Sequence, residues 1–225
     1  MAEILTAGRE ALAAPTQRPV LQPEVAIAEI LFPSDLSPES DRAFHHARFL
    51  AERYGARLTL YHAVQVPHLE ADGPWDLTPQ IAQRAETAAR EHLERRLEGL
   101  RTRSNIVVES VESVHRAVVR YIHAMPPDLT VMATHGRSGL AHLFLGGVTE
   151  KVVQHGKHPV LCVREPDHGV ALPYRRILVP TDLSPASRRA FPIAARLART
   201  FEAEVIAVHV GRVRAPAALD RKSVV

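Results

Sequence analysis

Residues 133–152, ATHGRSGLAHLFLGGVTEKV, contain the residue types that could bind a phosphate group. Four of the chain's 11 glycines lie close together here, namely Gly136, Gly139, Gly146 and Gly147. Glycine lets the backbone approach another group closely, and the start of a helix presents unpaired N–H groups to an anion. The pattern predicts either a phosphate cradle between a strand and a helix or a turn that only redirects the chain.

Strands and helices must position this segment. In the sequence the strands are short apolar runs, and they alternate with stretches whose apolar residues recur at helical spacing. The predicted strands are 25–32, 57–64, 105–111, 128–134 and 159–164; the helices between them include a long one at 78–103 and one at 147–155. Such strands form a parallel sheet covered by helices on both faces, and ligands bind at their carboxyl ends. We therefore expect an open, doubly wound α/β domain in which the turns after the first and fourth strands meet.

The chain also repeats itself. Residues 30–62 align without a gap on residues 177–209, with 16 identical positions out of 33. An offset of 147 residues is a domain length, so we interpret the repeat as a duplicated domain whose second copy is a truncated strand-helix-strand unit. The predicted organisation is a flexible arm at 1–24, a complete domain at 25–165, a linker at 166–174, an incomplete copy at 175–212 and a tail at 213–225.

The motifs ILxPxDxS at 30–37 and 177–184 and MATHGRSGLAHLFLGGVTEKVVQHGKHPVLCV at 132–163 occur together in this chain. In these motifs the sequence resembles the universal stress protein family, and in particular its tandem members. The resemblance implies a five-stranded, flavodoxin-like fold, a homodimer formed through the last strand, and a role in stress physiology. In many relatives it also implies an ATP site.

The nucleotide-binding relatives have the pattern G-x2-G-x9-G-S/T, which falls here on Ala133, Gly136, Gly146 and Gly147. Two of the four positions differ. The Ala133 methyl group would exclude a ligand only if it pointed into the site or if the backbone needed a positive φ. Gly147 lacks a hydroxyl that would contact a phosphate or form a capping box with Glu150.

By resemblance, Asp35 is expected to accept hydrogen bonds from the ribose or the adenine, and Ala63 and Met132 to line the base pocket. The amides of the glycines at 136, 146 and 147 and the Arg137 side chain are expected to face the phosphates of ATP, which would carry Mg²⁺. The complete set of expected ligand-binding residues is Pro33, Ser34, Asp35, Ala63, Met132, Ala133, Gly136, Arg137, Gly146, Gly147 and Val148. In the alternative interpretation the glycines only form a turn and Asp35 caps the first helix.

Composition argues against several other classes of protein. The single Cys162, the acidic residues near the start and the lack of an apolar run of about 20 residues predict a cytoplasmic protein without disulfides, a secretory signal or a membrane span. The net charge of +3 is spread among alternating acids and bases, so no nucleic-acid surface is expected. The 13 histidines show no metal-binding spacing, so no metal site is expected.

No arrangement of residues typical of a dedicated enzyme stands out, so slow ATP hydrolysis is the most catalysis that we expect. Two functions remain open. One is a nucleotide-responsive stress regulator, favoured by Asp35, Gly136 and Gly146. The other is a nucleotide-independent interaction module that works through dimerisation, favoured by the departures at Ala133 and Gly147.

Overall fold

The computed structural model describes residues 26–66, 78–134, 146–164 and 172–210. The strands of the complete domain are β1 Glu29–Pro33, β2 Arg57–Gln65, β3 Ser104–Val111, β4 Leu129–Ala133 and β5 Val160–Val163; its helices are α1 Pro38–Tyr54, α2 Thr78–Leu97, α3 Val114–Ala124 and α4 Gly147–His155. All neighbouring strands are parallel, and their order is β3-β2-β1-β4-β5. The predicted doubly wound α/β fold is confirmed, and the strand order reverses between β1 and β4.

Strand β1 is apolar on both faces because each face contributes to a separate core. Ile30 and Phe32 lie in core A, which packs between the sheet and helices α1 and α2. Leu31 points the other way into core B, between the sheet and helices α3 and α4. The buried members of core B are Leu31, Tyr61, Ala117, Val118, Ile122, Met132 and Val152. This double burial explains the nearly continuous apolar run in the sequence.

Two element boundaries differ by about four residues or more from the sequence-based expectation. Helix α2 ends at Leu97 rather than at residue 103, because Gly99 adopts a left-handed φ of 68° that ends the helix. Strand β1 begins at Glu29 rather than at residue 25. The Asp128 carboxylate accepts hydrogen bonds from the N–H groups of Ala28 (2.8 Å) and Glu29 (2.9 Å), so the start of β1 is tied to the segment before β4. No helix among the described residues is long and apolar enough to cross a membrane.

The incomplete copy forms a separate parallel pair, β6 Arg176–Pro180 and β7 Glu204–Val208, connected by α5 Pro185–Arg188 and α6 Ala190–Phe201. This half copy packs against α1 of the complete domain through aromatic side chains. The Phe201 ring lies 5.2 Å from that of Phe49 and 5.4 Å from that of Tyr174, measured between centroids. Burial raises the pKa of Tyr174 to about 12, so its hydroxyl stays protonated beside the His46 ring, 2.8 Å away.

One face of the half copy's sheet is uncovered within the described residues. Leu178, Ile206 and Val208 are exposed to 62%, 38% and 37% of their maximal surface. The repeat aligns Leu178 and Val208 with Leu31 and Tyr61, which are buried in core B beneath α3 and α4. Within residues 172–210, no element covers this face as α3 and α4 cover the corresponding face in the complete domain. We call the surface formed by Leu178, Ile206 and Val208 the half-copy face.

We predict that Phe201→Ala loosens the half copy from α1. Because Phe201 contacts Phe49, Tyr54 and Tyr174, the substitution should lower the free energy of unfolding by about 2 to 3 kcal/mol in urea denaturation. It should also speed trypsin cleavage within residues 172–210. The matched control is Val205→Ala in the same unit, where the side chain is 41% exposed and the expected loss is under about 0.5 kcal/mol. Equal effects of both substitutions would contradict this anchoring role.

Candidate functional site

Asp35 lies in the turn between β1 and α1, where its carboxylate orients the start of the helix. Its Oδ1 atom accepts hydrogen bonds from the backbone N–H (3.1 Å) and the hydroxyl (2.6 Å) of Ser37. Ser37 is the N-cap of α1, and its Oγ accepts from the N–H of Ser40 at 3.1 Å. The alternative expectation that Asp35 itself caps α1 is wrong, because Asp35 acts one step earlier by fixing the capping residue.

The backbone of the same turn is held by contacts to β2. The Ser34 N–H donates to the carbonyl of Tyr61 at 2.9 Å, which extends the β1–β2 ladder past Pro33. Nδ1 of His62 lies 2.7 Å from the Ser34 carbonyl and must donate, since a carbonyl only accepts. His62 is not among the site residues predicted from the sequence, although a histidine recurs at its repeat position, 209.

The carboxyl end of β4 is tied directly to the start of α4. The Thr149 hydroxyl donates to the carbonyl of Ala133 at 2.9 Å. The Gly146 N–H donates to the carbonyl of Thr134 at 2.6 Å. The Gly146 amide, which was expected to contact a phosphate, therefore closes the turn in this conformation.

The first amides of α4 are the remaining candidates for an anion. Gly146 is the N-cap and Gly147 the first helical residue, so position 147 is not the capping position and a hydroxyl there would not form a capping box with Glu150. Instead the Glu150 carboxylate accepts from the side chain of Gln154 at 2.9 Å. Among the described residues, the N–H groups of Gly147 and Val148 have no hydrogen-bond partner. They lie at the positive end of the helix dipole, which favours a negative group there.

The apolar residues of the expected site share one core. Ala63, Met132 and Val148 all pack in or against core B, at the ends of β2, β4 and the start of α4. The Ala133 side chain instead packs against core A, and its φ is not positive. Neither condition under which Ala133 would exclude a ligand is therefore met.

Met132 is only 4% exposed, so a ligand at this edge would meet mainly Ala63 and Val148, which are partly buried. Pro33 and Ser34 are buried beneath the turn, and Asp35 is partly exposed above them. Gly136 and Arg137, which were expected to face the phosphates, lie outside the described residues.

The half copy reproduces the turn without the glycine segment. Oδ1 of Asp182 accepts from the N–H of Ser184 at 2.9 Å, and Nδ1 of His209 lies 2.8 Å from the Thr181 carbonyl. Hydrogen bonds from Ser184 lower the pKa of Asp182 to about 2. The turn is thus a local unit encoded by DLSP, and among the described residues only the complete domain adds a helix start, that of α4, beside it.

In this open, doubly wound α/β domain the turn after β1 and the helix start after β4 lie at the carboxyl ends of two neighbouring strands. The model of the universal stress protein family matches residues 27–164 and 173–223, so the chain belongs to that family. The match covers both copies, in agreement with the internal repeat.

Individual relatives support this assignment. The chain is 30% identical over 142 residues to a universal stress protein of Methanocaldococcus jannaschii, MJ0531, covering 61% of this chain and 82% of that protein. Among solved structures it is similar to the universal stress protein UspA of Lactobacillus plantarum, with 25% identity, a TM-score of 0.53, and coverage of 61% of this chain and 98% of that one. A universal stress protein of Archaeoglobus fulgidus matches in fold with a TM-score of 0.62 at 18% identity, covering 83% and 68% of the two chains.

We predict that Gly147→Ser stabilises the protein in the absence of any ligand. A Cβ at Gly147 meets no heavy atom within 4 Å, and serine is preferred over glycine in a helix by about 0.5 kcal/mol. The matched control is Gly156→Ser at the other end of α4, where a Cβ would lie 2.6 Å from the Val152 carbonyl oxygen. That variant should lose about 1 to 3 kcal/mol in thermal or urea unfolding. A loss of stability in Gly147→Ser would show that this backbone position needs glycine.

Proposed function

We propose that this chain is a stress-response protein that binds ATP or a related adenine nucleotide at the edge where β1, β2 and β4 end. The observation that carries the proposal is the pairing of two features across the strand-order reversal. The Asp35 turn follows β1, and the unpartnered amides of Gly147 and Val148 follow β4, the strand paired with β1. One side offers a carboxylate to hydroxyl groups and the other offers N–H groups to phosphates, as a nucleotide requires.

Each part of the site has a defined task in this proposal. Asp35, held by Ser37, accepts hydrogen bonds from the ribose or the base. Ala63 and Val148 give the base an apolar surface, backed by Met132 in core B. Gly136 and Arg137 remain predicted phosphate contacts. Any Mg²⁺ would be bound mainly through the phosphates, since the described residues contain no cluster of three or more acidic, His or Cys side chains arranged as ligands.

The glycine at 147 makes the proposed site weaker than one with a hydroxyl there. One lost hydrogen bond of about 0.5 to 1.5 kcal/mol reduces affinity up to roughly tenfold, which still leaves an anion site. The proposed role of the nucleotide is regulatory. Bound and free forms would differ in the surface that they present to a partner.

The test is calorimetric titration of Mg-ATP into the full chain and into two matched variants. Asp35→Asn keeps an oxygen that can accept from Ser37 but removes the negative charge. Hydrogen bonds to charged groups contribute about 1.5 to 3 kcal/mol, so ATP affinity should fall by roughly 10- to 100-fold. Asp182→Asn alters the same turn in the half copy and should leave affinity unchanged.

Two further variants bear on the phosphate side of the same site. Gly147→Ser should tighten ATP binding by restoring the hydroxyl, and Gly136→Val should block it by bulk. No heat of binding in the unmodified chain at millimolar ATP would reject the proposed function. Equal losses in Asp35→Asn and Asp182→Asn would assign the effect to folding rather than to ligand contact.

A second candidate function is a nucleotide-independent interaction module that acts through dimerisation. The specific observation in its favour is the half-copy face, since Leu178, Ile206 and Val208 form an uncharged apolar strip on a two-stranded sheet. A two-fold interface needs a surface that complements itself, and a flat apolar strip does so without any partner of opposite charge. A second copy of this chain is therefore the proposed occupant. Strand β5, the edge strand expected to pair across subunits, is the competing site.

We predict that the chain is a dimer at micromolar concentration in light scattering and that Ile206→Glu makes it monomeric. A charge placed in a buried apolar interface has no partner and costs several kcal/mol. The control is Ile81→Glu on α2, where an equally large side chain is 61% exposed outside the half copy. A dimer that survives Ile206→Glu would reject the half-copy face and favour the β5 edge, whereas a monomeric parent would reject both.

A further inference from the structure

A separate cleft lies between the outer sides of helices α3 and α4, away from the strand ends that form the proposed nucleotide site. Its volume is about 710 Å³, and its charged or titratable lining residues are His115, Arg116, Arg120, His123, Lys151 and His155. No acidic residue lines it, and Val119 and Ala124 supply apolar surface. We call this site the α3–α4 cleft.

One wall of the cleft is held in place by a chain of contacts from core B. The Arg120 guanidinium donates to both carboxylate oxygens of Glu109, at 2.8 and 2.9 Å. The Tyr61 hydroxyl donates to the same carboxylate, and Tyr61 is only 1% exposed. Arg120 is therefore fixed in direction while its other N–H groups remain available to a ligand.

The opposite end of the cleft is fixed by a contact between its two helices. Nε2 of His123 lies 3.0 Å from the carbonyl of His155, so this nitrogen carries the hydrogen and donates. The bond joins the last turns of α3 and α4 and satisfies one of the carbonyls that every helix end leaves open. The spacing between the two walls is thus set by the protein before any ligand arrives.

The helix dipole explains only some of these basic residues. His123 and His155 lie in the last turns of α3 and α4, where positive charge is favourable. Arg116 lies in the first turn of α3, where a positive charge is unfavourable, and Lys151 lies in the middle of α4. Neither forms an ion pair with a carboxylate of the described residues, and the Lys151 ammonium group donates to the side-chain oxygen of Gln154 at 3.4 Å. Their convergence on one cleft with Arg120 needs another explanation.

We propose that the α3–α4 cleft binds a small organic phosphate. Arg116 and Lys151 supply two positive charges from facing helices, and Arg120, whose charge is paired with Glu109, adds N–H donors in a fixed direction. This set matches a multiply charged anion, and arginine forks match phosphate oxygens in particular. The volume lies within the range of small-molecule sites. The side chains of Val119 and Ala124 give the organic part of the ligand an apolar surface. This site is independent of the proposed nucleotide edge, because none of its lining residues belongs to that edge.

The probe for the experiment is inorganic tripolyphosphate, which carries the phosphate groups without a nucleoside. It is titrated into the full chain at about 150 mM salt, where unspecific long-range attraction is largely screened. The NMR signals of the imidazole rings of His115, His123 and His155 should shift in a saturable way. The Arg116→Gln/Lys151→Gln double variant should bind at least tenfold more weakly, and both side chains are exposed, so folding is preserved.

Two controls separate this proposal from other sources of the same signal. Arg95→Gln/Arg103→Gln removes the same number of positive charges from exposed positions outside the cleft and should leave the affinity unchanged. Asp35→Asn should also leave it unchanged, so failure of the nucleotide proposal does not affect the outcome. Equal weakening in both double variants, or shifts confined to the first amides of α4, would overturn the cleft as a phosphate site. So would an absence of saturable shifts at millimolar probe.

Discussion

The rest of the structure depends on strand β1, because both faces of this strand are packed in a core and both of its ends are held by hydrogen bonds. Its side chains alternate between core A and core B, so neither helix layer can pack without it. Its start is fixed by the Asp128 carboxylate, and its end passes into the hydrogen-bonded turn at Ser34. The strand is paired with β2 on one side and β4 on the other. The position of Asp35 relative to the start of α4 follows from that pairing.

The turn after β1 is a local structure that the sequence DLSP specifies without help from a core. Leu36 has a φ of 60° and its counterpart Leu183 a φ of 66°, a conformation that costs a non-glycine residue about 1 kcal/mol or more. Asp182 and Ser184 form the same hydrogen bonds as their first-copy counterparts although the half copy is largely exposed. The carboxylate is therefore preorganised in both copies. What distinguishes the complete domain is the second wall that β4 and α4 supply.

The fold could be predicted from the sequence because its signals are periodic and local. Apolar runs separated by helical spacing suffice to specify a parallel sheet, and the duplication was visible as identity at a constant offset. The geometry of the candidate site could be predicted less completely from the sequence. Which amide at Gly146 or Gly147 remains unpaired depends on the turn closing onto Thr134, and the direction of the Ala133 methyl depends on the side of β4 that meets core A. The end of α2, by contrast, could have been predicted from Gly99, since glycine favours the left-handed conformation that ends helices.

The duplication gives this chain two strand-helix-strand units of closely similar sequence that could compete for one slot during folding. The slot lies between β3 and β4, and the first copy fills it with Phe32, Leu60 and Tyr61, all at most 1% exposed. The second copy would bring Val179, Ala207 and Val208 to the same places. The smaller side chains would leave cavities, and each missing methylene costs about 1 kcal/mol. Side-chain volume therefore favours the first unit at these positions, since the backbone turns of the two units are alike.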